Sequence, residues 1–251
     1  MLRFELTLVV LSIFVFGGTQ SICSSSINDD FFDAAYKGEV DEVNRLISKG
    51  ADVNFRSETE STALIAACLA NHIAVVKLLV ENGADVNLKE AKGFTALMFA
   101  SYGGYAEVVK TLLDNGADIN AKQKEGITAL LAVCNKGLIE IAEILIARGA
   151  DVKAQTVQGA TALTNASKGG FVAIIKLLLE AGADVNKKQK DGYTALMEAS
   201  MNGHAAVVRL LIDNGANVDA TADDGYTPLE LASKYGHTKI VNILKANRAK
   251  R

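Results

Sequence analysis

Proline occurs once in 251 residues, tryptophan not at all, and cysteine and histidine three times each. So few cysteines cannot form a disulfide framework, and stability has to come from packing. No charge sign dominates: 26 Lys and Arg stand against 29 Asp and Glu, a net charge of -3. No global field therefore draws the chain to nucleic acid or to an anionic membrane. A Gly-rich phosphate loop, a His/Cys metal-ligand spacing and a nucleophile elbow are also missing. Apolar residues are plentiful at 49%, enough for an extended domain or a conventional core. This composition points to a protein partner.

Long apolar runs are scarce too. The opening "MLRFELTLVVLSIFVFGG" carries Arg3 and then an apolar stretch from Leu6 to Phe16. As a helix that stretch reaches about 16 Å, short of the ~30 Å hydrocarbon layer. It suits a secretory signal over residues 1–23, with small residues in "TQSICSSS" for cleavage, and a linker over 24–28. The chain is expected to be secreted or periplasmic. Glu5 weakens the charge before the run and leaves an uncleaved membrane anchor as the alternative; Ile22 before Cys23 argues against lipid attachment.

Beyond Ser26 the chain repeats. "TALIAAC" begins at Thr62, "TALMFAS" at Thr95, "TALLAVC" at Thr128, "TALTNAS" at Thr161, "TALMEAS" at Thr194 and "TPLELAS" at Thr227, each 33 residues after the last. A second marker keeps the same spacing: "GAD" at Gly50, Gly83, Gly116, Gly149 and Gly182, then "GAN" at Gly215. Units are expected over 29–61, 62–94, 95–127, 128–160, 161–193, 194–226 and 227–251, the first of them degenerate.

The unit from Thr95 shows why such a repeat folds only in company. Thr95 is suited to cap a helix that starts with "ALMFAS" and stops near Gly104. In "EVVKTLLDNG", Val108, Val109, Leu112 and Leu113 make two adjacent apolar stripes, which need cover on two sides. Neighbouring units supply that cover by stacking. Asn115-Gly116 closes the second helix, and the polar "INAKQKEG" crosses to the next threonine as a hairpin-like loop.

From Asp29 to Lys245 the chain resembles ankyrin repeats, whose consensus runs roughly T-P-L-H-x-A-A…G-H-x-E-V-V-K-L-L-L…G-A-D-V-N. The resemblance implies an all-α solenoid of stacked helix-turn-helix units with projecting β-hairpin loops. It also implies non-catalytic protein binding through the concave face and the hairpin tips. Two departures stand out. The proline survives only as Pro228, and the histidine of T-P-L-H is replaced by Ile65, Met98, Leu131, Thr164, Met197 and Glu230. Apolar contacts are expected to replace most of any network built on that histidine.

Isolated chemical candidates dissolve into the repeat frame. His72, His204 and His237 occupy one repeat position that elsewhere holds Tyr105, Leu138 and Phe171, so they read as scaffold and not as catalytic bases or metal ligands. Asp52, Asp85, Asp118, Asp151 and Asp184 lie one repeat apart, about 8 to 10 Å, too far to share one ion. Each is expected to bond its own loop backbone. Cys68 and Cys134, two repeats apart, are too distant for a disulfide and read as buried, alanine-sized thiols. Lys89, Lys92, Lys122, Lys124 and the "NKKQKDG" tip are interrupted by acids and read as a solvated rim, not a phosphate track. No catalytic residue, cofactor, metal or nucleic acid is expected, no membrane contact beyond the signal segment, and the chain should be a monomer.

The variable positions remain. In the family, contact residues stand just before the threonine and at the end of the first helix. Here these are Phe94, Ile127, Tyr193 and Tyr226, and Tyr36, Leu69, Tyr102, Met201 and Tyr235. Such side chains, when exposed, are common interface anchors. The unit with Ala160, Lys168 and Gly169 is bare and separates two patches. One hairpin breaks pattern: Gly93, Gly126, Gly159, Gly192 and Gly225 stand two residues before the threonine, but the first hairpin has Glu60 there, which predicts either a strained left-handed residue or a different loop path.

Overall fold

A computed structural model describes residues 26–248. The expected signal segment 1–23, with Cys23, lies outside the described residues. Helix α1 (Ile27–Lys37) begins inside the stretch expected to be linker, because Ser26 caps it: the Ser26 hydroxyl accepts from the Asp29 amide while the Asp29 carboxylate accepts from the Ser26 amide. The described residues divide into two compact units, one ending at Asp85 and one beginning at Val86.

The first unit holds two described helix pairs, α1 with α2 (Val40–Ser48) and α3 (Ala63–Leu69) with α4 (Ile73–Glu81). The second holds five: α5 (Ala96–Gly103) with α6 (Ala106–Asp114), α7 (Ala129–Lys136) with α8 (Ile139–Ala147), α9 (Ala162–Gly169) with α10 (Val172–Glu180), α11 (Ala195–Met201) with α12 (Ala205–Asp213), and α13 (Pro228–Lys234) with α14 (Thr238–Arg248). Every repeat threonine is a cap. Thr62, Thr95, Thr128, Thr161, Thr194 and Thr227 each accept the amide three residues on. Pro228 sits in the first turn of α13, where it forfeits no helical bond.

Within each unit the first helices lie side by side and the second helices form a looser layer behind them. Helices of seven or eight residues are marginal alone, so their stability is tertiary. Ile65, Met98, Leu131, Thr164 and Met197, at the family's histidine position, are all buried. The second helices α4, α6, α8, α10 and α12 bury three residues each, such as Val108, Val109 and Leu112, and α2 and α14 bury two. Leu113 is only half-buried, so the second apolar stripe is covered in part. The reason is the thinner contact between neighbouring second helices.

The loops between pairs are hairpin-like, with isolated antiparallel bridges Lys89–Thr95 and Gln155–Thr161 among the described residues. Gly159 shows why glycine recurs before the threonine. Its φ is +80°, and an added Cβ would come within 2.9 Å of the Lys190 amide nitrogen in the next hairpin. Glu60 keeps this turn at φ 59°, so the strained alternative holds; its carboxylate pairs with Arg56 at 2.9 Å. Asn71 takes a similar left-handed φ of 61° just past α3, where other units use glycine.

Candidate protein-binding face

The joints between pairs are stapled by the asparagine of "GADVN". The Asn54 Nδ2 group donates to the Gly83 carbonyl at 3.2 Å and its Oδ1 accepts from the Asp85 amide at 2.8 Å. Asn87 does the same to Gly116 and Asp118, and Asn186 to Gly215 and Asn217. The aspartates of the same motif bond their own loops, as expected: Asp52, Asp118, Asp151 and Asp184 each accept the amide two residues on at 2.9 Å. In one unit the asparagine is Lys153, and among the described residues no such staple reaches Gly182 or Asp184. An opening of about 210 Å³ lies there, lined in part by Val152, Lys153, Leu163 and Asp184.

The histidines are part of this joinery. A ring N–H of His204 donates from Nε2 to the Lys168 carbonyl at 3.0 Å, and His237 does so to Met201 at 3.0 Å. Where the same repeat position is Leu138, Lys136 takes over: its Nζ donates to the equivalent Tyr102 carbonyl at 2.8 Å and lies 3.8 Å from the centre of the Tyr102 ring. Cys68 and Cys134 are free, buried thiols whose pKa burial pushes up. Two rim lysines tie neighbouring hairpins together, Lys89 to the Lys122 carbonyl and Lys188 to that of Thr221.

Seven of the nine expected contact residues keep accessible surface. Phe94 and Ile127 do not; they are 2% and 4% exposed. Phe94 turns inward to stack obliquely on Phe99, with ring centres 5.6 Å apart, and neither Phe94 nor Ile127 offers its side chain as a contact anchor. Tyr36 and Leu69 are half-buried at the ends of α1 and α3, and Tyr102 lies under Lys136. Tyr193, Met201 and Tyr226 come together, all half-buried, over a small core of Met197, Ala220, Ala222 and Leu231. Tyr235 extends this surface and is 51% exposed. Lys234 links the rings: its Nζ donates to the Tyr226 hydroxyl at 3.0 Å and lies 5.9 Å from the Tyr235 ring centre.

The Tyr193 hydroxyl donates to Asp224 at 2.9 Å. Burial first, and then that carboxylate, push its pKa up to about 12. Beside it opens a cleft of about 510 Å³ lined by Asp191, Tyr193, Glu198, Met201, Asp223 and Asp224. Glu198 is the group the residue pattern did not single out. Its repeat position holds Ala66, Phe99, Ala132, Asn165 and Leu231 elsewhere, so a lone charge there was the available signal. Val157, 46% exposed at a hairpin tip, was likewise missed.

Stacked helix pairs with stapled hairpins, and an aromatic patch at the helix ends, define a repeat-built scaffold. Sequence comparison supplies its family: the profile described as ankyrin repeats (3 copies) matches residues 31–123, 121–189 and 173–250. The chain belongs to the ankyrin-repeat family, and its fold is the all-α ankyrin solenoid. Repeats of this family are generally protein-interaction modules and typically non-enzymatic. No curated protein matches the chain. Among the described residues, no helix is long and apolar enough to cross a membrane, and no group of three or more His, Cys, Asp or Glu is arranged to hold a metal ion.

Proposed function

We propose that this chain is an exported, non-catalytic scaffold that binds one protein partner through the hairpin tips and the concave face of the first helices. The observation that carries the reading is the cluster of Tyr193, Met201, Tyr226 and Tyr235, where aromatic and thioether surface stands partly open over a packed base. Rigid rings of this kind contribute much of the energy in protein interfaces because little side-chain entropy is lost on binding. The apolar run Leu6–Phe16 supports export to the periplasm or the outside.

A photoreactive residue in place of Tyr235 should cross-link the partner, whereas one in place of the exposed Lys176 on α10 should not. With the partner in hand, the double change Tyr193→Ala and Tyr226→Ala should weaken binding by roughly 1–4 kcal/mol and leave the far-ultraviolet helical signal intact. Equal cross-linking from both positions, or unchanged affinity in calorimetry, refutes this face. N-terminal sequencing of the exported protein tests the signal segment: an intact Leu6–Phe16 makes the chain a tethered scaffold.

A further inference from the structure

We propose that the cleft between Tyr193 and Glu198 receives an arginine side chain of the partner protein; this rests on the scaffold reading above and specifies its chemistry. Glu198 stands on α11 and is 9% exposed. Its Oε1 accepts from Gln189 Nε2 at 2.9 Å, while its buried Oε2 has no hydrogen-bond partner among the described residues. A buried carboxylate oxygen without a donor is unfavourable, and native structures supply one. Lys168 acts on this carboxylate through space but makes no hydrogen bond to it, so the donor is not resident. Burial raises the Glu198 pKa, consistent with a carboxylate short of compensating donors.

The rest of the cleft selects the kind of donor. Asp191, Asp223 and Asp224 add negative charge around the same opening, yet the carboxylates do not converge as a metal site requires. A guanidinium presents donors around a plane and can meet separated carboxylates at once, which a compact ammonium or a small ion cannot. Tyr193 and Met201 line the same cleft, offering a ring face for the guanidinium and apolar surface for its methylene stem. The Tyr193 ring is held in place by its bond to Asp224. A volume of about 510 Å³ accommodates such a side chain with part of its backbone.

The test uses the full chain and three capped tripeptides, acetyl-Gly-Arg-Gly-amide and its Lys and Gln counterparts. Titrated by nuclear magnetic resonance, the arginine peptide should shift the Met201 methyl, the Gln189 side-chain amide and the Tyr193 amide saturably. The lysine peptide should bind several-fold more weakly and the glutamine peptide should give no saturable shift. Glu198→Gln keeps the shape and removes the charge, and should weaken the arginine peptide about tenfold or more. Equal response to the arginine and glutamine peptides overturns the proposal, as does unchanged affinity in Glu198→Gln. Tighter saturation of the same signals by calcium or magnesium ions also overturns it, in favour of a metal. A chain that cross-links its partner from position 235 but ignores the arginine peptide refutes only this inference; failure of the cross-link counts against the scaffold reading itself.

Discussion

Replacing Lys153 with asparagine should strengthen the solenoid at one joint. At three equivalent joints, those of Asn54, Asn87 and Asn186, the asparagine makes two bonds to the next pair, for Asn87 at 3.1 Å to the Gly116 carbonyl and at 2.7 Å from the Asp118 amide. Lys153 provides neither to Gly182 and Asp184, although its own backbone keeps the loop bond to Asp151 at 2.9 Å. Each bond is solvent-exposed, so the low end of the usual 0.5–1.5 kcal/mol applies, and the pair is worth about 1 kcal/mol. Stability in a solenoid is approximately a sum of unit and interface terms, so the gain belongs to one interface. With a urea slope of about 2–3 kcal/mol/M the midpoint should rise by roughly 0.3–0.5 M. Hydrogen exchange gives the local readout: the Asp184 amide should gain protection. The reverse change, Asn120→Lys, removes the single bond to the Asp151 amide and should lower the midpoint by about half as much. An unchanged midpoint for Lys153→Asn, with Asp184 exchanging as fast as before, refutes the account of the missing staple.

Other changes act on single features. Glu60→Gly should raise stability by a few tenths to about 1 kcal/mol, since relief at φ 59° outweighs the loss of an exposed ion pair and the added unfolded-state entropy; an unchanged or lower denaturant midpoint argues against strain. His204→Leu should keep partner binding and cost about 1 kcal/mol for the lost bond to Lys168, and adding Asn202→Lys should restore it by copying Lys136; a double variant no more stable than the single would show that lysine cannot substitute. Because burial raises the folded pKa of Glu198, the folded chain holds that proton in a window above the ordinary 4.5, and stability falls as pH rises through it. Glu198→Gln should therefore melt higher than the parent at pH 7 and lose that advantage below pH 4.5; an equal difference at both pH values refutes it.

The parts of the fold legible in the sequence are those where local chemistry recurs at a fixed period. The threonine caps, the turn at Glu60 and the structural role of the histidines all follow from comparing one unit with the next. Burial at a given repeat position is less legible. Phe94 and Ile127 share a frame with Tyr193 and Tyr226, but whether a ring at that point is covered depends on its neighbours, and Phe99 covers Phe94. The exchange of His for Lys136 needs two side chains from different positions to find one carbonyl, which no single column of residues displays. Glu198 was visible as an odd residue, while its unmet oxygen depends on where Gln189 and Lys168 reach. The break from "GADVN" to "GADVK" was equally visible, but it acquires meaning only through bonds that span 29 and 31 residues.

Those offsets make length a quantised variable. Asn54, Asn87 and Asn186 each answer a glycine 29 residues on and an aspartate or asparagine amide 31 residues on, and a histidine ring reaches back 36. Gain or loss of one whole unit, the step from Thr62 to Thr95, leaves each donor with an equivalent acceptor. Any other change in length inside the helices sets a row of donors against the wrong carbonyls. At the seam beside Lys153 a unit spliced in or out breaks no asparagine staple, and the bonds that cross it, from Asn165 to the Leu131 carbonyl and from the Lys190 amide to the Gln158 carbonyl, recur in register with the inserted unit.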